Sequence, residues 1–129
     1  MSDLRDLEDE FDRCVDEIDD AVYKVVAKGA LNIKNDTRDT WKRELRGTHA
    51  KRLHFSVGYD ITPPGGDVIA ANIGPDVNKK KMQGGLGGII EEGQGANAPV
   101  PALNPAWRKE SPRFEKALGD VAERLMPGD

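Results

Sequence analysis

Five side chains in this 129-residue sequence are the ones to weigh first for chemistry: the thiol of Cys14, the imidazoles of His49 and His54, and the adjacent carboxylates of Glu91 and Glu92, which follow a glycine run, GGLGGII, at residues 84–90. A thiol with two imidazoles suggests zinc or an activated nucleophile. A closed zinc site needs four ligands, however, and Cys14 is the only cysteine. It also stands on an apolar stripe, where a small buried hydrophobe is the expected role. His49 and His54 lie five residues apart among bases, with no carboxylate placed to orient them, and are expected as separate surface side chains. Glu91 and Glu92 are consecutive, so on a helix they diverge by about 100° and cannot face one another as acid and base. The glycines do not make a phosphate loop, which needs a lysine and a hydroxyl after them. Here two acids follow, and they would repel phosphate. No catalytic, cofactor or metal residue is expected, and the chain reads as nonenzymatic.

What positions these groups is expected to be a single α+β domain, residues 1–129. Aromatics make up only 5% of the sequence, so the core is small and partner subunits are expected to complete it. Leu4, Leu7, Phe11, Cys14, Ile18, Ala21 and Val25 recur alternately three and four apart, which predicts a long amphipathic helix over 1–28. Ser2 caps it, acids fill its first turns, and Gly29 weakens or ends it. At about 1.5 Å per residue its twenty-five or so residues span roughly 37 Å. That is long for so small a domain, and the helix is expected to pack on something beyond its own chain.

A cap among Asn35, Asp36 and Thr37, with Trp41 and Leu45 four apart, predicts a short helix over 36–47. Leu53, Phe55, Val57, Tyr59 and Ile61 alternate with period two; with the PPGG break at 63–66 and the β-branched residues beyond it, they predict an antiparallel β-hairpin over 51–76. Residues 77–103 read as a basic, glycine-ended mobile loop followed by an extended segment. Asn104 as cap and Pro105 at the first helical position predict a C-terminal helix over 104–126. Its apolar face carries Trp107, Phe114, Leu118, Val121 and Leu125. Pro112 kinks this helix or restarts it with Ser111 as a second cap.

The net charge of −4 hides a segregation: residues 1–28 carry ten acids and four bases, residues 29–58 three acids and seven bases. Such blocks are ordinarily two exposed faces of one fold, and alternatively an electrostatic dock between copies of the chain. The basic stretch 34–52, with Trp41 inside it, also suits a small DNA-binding or regulatory module. Against that, Trp41 shares a face with Leu45 and reads as core, and the chain as a whole is acidic. No run of about 18 apolar residues is present, so no membrane span is expected. The acidic start lacks the zones of a signal peptide, which leaves the expectation of a soluble intracellular product.

Residues 86–107 hold a more specific pattern: Ile90-Glu91-Glu92-Gly93-Gln94, then Pro99-Val100-Pro101-Ala102-Leu103-Asn104-Pro105-Ala106. This resembles a family of tailed-bacteriophage head-to-tail joining proteins (neck or tail-completion components). That family carries an aliphatic residue, Glu-x-Gly-Thr, and after a variable loop Pro-x-Pro-Phe-Leu-x-Pro-Ala. Gln94 replaces the threonine and Ala102 the phenylalanine; upstream, Asp36-Thr37-Arg38 stands where the family has Asp-Thr-Gly. The resemblance spans roughly residues 36–125. It implies a virion structural protein, assembled in the host cytoplasm, forming a homo-oligomeric ring (hexamer or dodecamer) in the neck. Its implied partners are the capsid connector and the tail-terminator or tail-tube proteins, with genome DNA passing through unread and no membrane involved. Glycines that turn tightly and prolines that stiffen an extended segment suit a latch against a neighbouring subunit. Ile90, Glu91, Gly93, Pro99, Pro101, Leu103 and Pro105 are its candidate interface residues; an intramolecular tie is the alternative.

Overall fold

The computed structural model describes residues 3–62, 68–93 and 98–125. The Ser2 cap, the PPGG break, Gln94 and residue 126 lie outside them. The architecture is α+β and mostly helical: α1 (Asp3–Glu44), β1 (Val57–Ile61), β2 (Ala71–Pro75), the short α2 (Gly87–Glu92) and α3 (Leu103–Leu125).

Helix α1 is a single element of 42 residues, so the expected break at Gly29 and the separate helix over 36–47 are corrected. Glycine inside a helix costs about 1 kcal/mol against alanine. The buried row that runs through it, Val26, Ala30, Ile33, Thr37, Trp41 and Leu45, offsets that cost, since burying one such aliphatic side chain contributes about 1.5–3 kcal/mol. Thr37, read as a cap, instead sits on this row with no exposed surface. Beyond α1 the chain turns through Gly47 at φ +81°, and the Thr48 hydroxyl donates to the Leu45 carbonyl at 2.7 Å.

The strand expected from residue 51 begins only at Val57. Leu53–Ser56 is a 3-10 turn, with Leu53 and Ser56 buried three apart and the Ser56 hydroxyl donating to the Leu53 carbonyl at 2.7 Å. The alternation read there is therefore a period of three up to Ser56 and of two after it. β1 pairs antiparallel with β2, Val57 opposite Pro75 and Ile61 opposite Ala71. Arg38 ties α1 to this region, its Nε donating to the Val57 carbonyl at 3.0 Å, and the Lys34 ammonium lies over the Tyr59 ring.

α3 runs antiparallel to α1. Asp36 meets Lys109, Asn32 meets Glu110, the Gly29 backbone lies against the Phe114 ring, and Cys14 reaches the Leu125 carbonyl. The helix continues through Pro112 without restarting. Its buried residues are Ala106, Glu110 and Val121. Trp107, expected to be buried, is instead 49% exposed and tilted against Phe114. A small residue and an acid form much of the buried face, which the apolar pattern alone does not mark. The Glu110 carboxylate accepts from Asn32 Nδ2 at 3.0 Å and lies 3.5 Å from Arg113.

The main core is small and sits at the C-terminal end of α1: Trp41, Leu45, Ala50, Leu53, Val57 and Ala102, with Leu86, Ile90, Val100 and Leu103 packed against it.

Candidate functional site

The segment 84–105 is built around close approaches that need glycine. A Cβ on Gly84 would stand 1.7 Å from the Asp76 carbonyl oxygen, and one on Gly87 2.1 Å from the Pro75 ring. Gly85 and Gly88 face open space. The glycine run thus lays a turn directly on the end of β2. Two 3-10 turns, Lys80–Met82 and Gly84–Leu86, lie within the stretch read as a loop. Gln83 between them adopts φ +61°, uncommon for a residue with a side chain. Its amide holds the 49–52 loop, Oε1 accepting from the Arg52 N–H at 2.9 Å and Nε2 donating to the His49 carbonyl.

Glu91 and Glu92 then diverge as expected. Glu92 is exposed, whereas Glu91 is only 8% exposed. The Glu91 carboxylate accepts three backbone N–H groups from the start of α3: Ala102 and Leu103 at 2.8 Å to Oε1, and Asn104 at 3.2 Å to Oε2. The Ala102 carbonyl accepts from the Ala106 N–H at 3.1 Å, so Ala102 is the capping position and Pro105 stands third in the helix. Proline brings no N–H, and every donor of the first turn is thereby matched or absent. The cap predicted on Asn104 is corrected: an acid eleven residues before Ala102 does that work. The positive end of the helix dipole, where a phosphate would bind in a nucleotide site, is occupied by the chain's own carboxylate.

The extended segment is pinned at Val100 as well. Its N–H donates to the Ile90 carbonyl at 2.7 Å and its carbonyl accepts from Trp41 Nε1 at 2.9 Å. Gly93 ends α2 at φ +79°, ψ +161°, a region open essentially to glycine alone. Of the candidate latch residues, Ile90, Glu91 and Leu103 turn into the protein's own interior, and Gly93 ends α2. Pro99, Pro101 and Pro105 are exposed. Within one chain, the segment is an intramolecular tie with a proline-bearing outer face.

Cys14 and the two histidines do not meet. Cys14 lies half-buried near Leu125, His49 is exposed, and His54 contacts the Lys51 carbonyl at 3.0 Å. Among the described residues, no three His, Cys, Asp or Glu side chains gather as a metal cluster. No described helix is long and apolar enough to cross a membrane.

Two surface features stand out at opposite ends of α1. At its start Leu4, Leu7 and Phe11 are 62–70% exposed, in an open groove that continues through Val15 and Ile18 to Leu125. At its other end, Lys42, Arg43, Arg46, Lys51 and Arg52 surround a groove beside Phe55, whose ring is about half exposed and stacks on His54 with centroids 4.0 Å apart. Compared with known proteins, the chain matches no family model, no curated protein and no solved structure.

Proposed function

We propose that this chain is a nonenzymatic structural protein of the tailed-phage neck, forming a homo-oligomeric ring that joins the capsid connector to the tail. The observation that carries the reading is the Glu91 cap. The two halves of the pattern shared with the head-to-tail joining family, Ile90-Glu91-x-Gly93 and Pro101-x-Leu103-x-Pro105-Ala106, interlock as one unit. The acid is needed because α3 starts with three free N–H groups, and the proline is needed because it adds no fourth. Gly93 ends α2 directly after Glu92, in a backbone conformation open essentially to glycine. A pattern whose acid, glycine and helix-start residues each have a physical role supports a shared fold better than a string of similar letters does. The uncovered apolar start of α1 adds support, since contiguous exposed apolar surface marks association sites. Exposed Pro99, Pro101 and Pro105 remain the outward-facing candidates for contact with a neighbour. Depletion of the protein during virion assembly is expected to leave DNA-filled heads and separate tails. Tailed particles in normal yield would overturn the proposal.

The cluster of five bases around Phe55 favours a second reading, a small DNA-binding module acting through the 34–52 segment. Trp41 is fully buried and so gives no stacking platform. Lys34 and Arg38 are engaged with Tyr59 and with backbone carbonyls. This reading requires a salt-sensitive mobility shift with duplex DNA that Arg46→Glu and Arg52→Glu abolish.

A further inference from the structure

The apolar heptad positions of α1 outrun the helix that covers them. Cys14, Ile18, Ala21 and Val25 are half-buried, with α3 alongside, whereas Leu4, Leu7 and Phe11 of the same seam stay open. With Leu4 and Leu7 as seam positions, the flanking positions hold Glu8, Glu10, Val15 and Glu17, three acids in four. Two such arms laid together would set acid against acid, and flanking charges of this kind decide coiled-coil pairing. The arm therefore calls for a basic receiver with an apolar floor.

The chain carries one. Lys42, Arg43, Arg46, Lys51 and Arg52 rim a groove of about 630 Å³ with the exposed Phe55 ring beside it. Asp39 lines the same groove, and Glu44 lies 3.1 Å from Arg43, so the rim keeps a positive excess. The arm cannot reach this groove in its own chain. Phe11 and Arg43 lie 32 positions apart on one continuous helix, about 48 Å at 1.5 Å per residue.

We infer that the acidic, apolar arm of one copy, Leu4 to Phe11, docks in the basic groove beside Phe55 of a second copy. This contact is head-to-tail. Each copy offers one arm and one groove, so the contact either closes into a ring or grows as a filament. The inference rests on the reading of the chain as an assembly protein and names the surface that would build it.

The test uses the full chain and measures mass by light scattering at salt concentrations from about 0.05 M to about 0.5 M. The wild type is expected above the monomer mass at low salt and nearer to it at high salt. Leu7→Ser with Phe11→Ser removes the arm, and Arg46→Glu with Arg52→Glu removes the groove. All four positions are exposed, and circular dichroism should stay unchanged. Each variant alone is expected as a monomer, and an equimolar mixture as a species of twice that mass and no larger, because one intact arm meets one intact groove. Three results would overturn the inference: a monomeric wild type at low salt, a groove variant that self-associates like the wild type, or a mixture that stays monomeric. A depletion phenotype of tailless heads beside any of these would leave the neck reading in place and remove this contact alone.

Discussion

At the scale of single residues, Glu91 is the side chain on which most depends. Glu91→Ala leaves three N–H groups at the buried start of α3 without their acceptor and is expected to cost about 3 kcal/mol, whereas Glu91→Gln keeps an acceptor, loses the charge, and should cost about 1 kcal/mol. Urea unfolding midpoints check the ranking; equal losses would mean that the carboxylate only fills space. The glycines give a second comparison. Gly84→Ala must push the Asp76 backbone aside, an overpacking penalty of about 3 kcal/mol. Gly85→Ala meets nothing and should add roughly 0.5 kcal/mol of stability through a less flexible unfolded chain. Gly93→Val, at a positive φ beside the Glu91 cap, should destabilise the single chain as well as any assembly. The sequence grouped these residues in one pattern, with an intramolecular tie as the alternative, but not the partner of each. Glu91 and Asn104 are separated by a loop, and four glycines of one run look alike until β2 is laid against two of them.

Elements were easier to read than contacts, for a physical reason. The spacing of Leu4 through Val25 marks a helix because the same face recurs every three or four residues, and the hairpin partners announced themselves by alternation around a proline-glycine break. What propensity could not weigh was burial. Gly29 and the Asn35-Asp36-Thr37 triplet each look like a helix boundary, but a row of buried side chains runs unbroken past both. The same blindness misplaced Trp107, because Ala106 and Glu110 hold the inner face. Continuity of α1 is measurable. In a Cys14→Ser background, spin labels on Glu10→Cys and Lys42→Cys should lie about 48 Å apart from backbone to backbone. A much shorter or broadly spread distance in dilute samples would restore the hinge at Gly29.

For the molecule as a whole, the main core sits at one end. The core around Trp41 lies where α1, the β-hairpin and the start of α3 converge, and the first turns of α1 project from it with their apolar side chains open. Amides of residues 4–13 are expected to exchange hydrogen rapidly in the monomer and to gain protection in any assembly through the arm. Protection equal to that near Trp41 in the monomer would show that the arm needs no partner. If copies dock as proposed, the opposite charge at the two ends of α1 also sets how fast they find one another. Under that proposal approaching molecules would be turned into register before they touch, by a pull that fades over about 10 Å in 0.1 M salt. Added salt should therefore slow association in stopped-flow mixing, while the departure rate, governed by Leu7 and Phe11 leaving an apolar floor, changes little. In the proposed assembly, a rod charged in this way would make the ionic strength of its surroundings a clock.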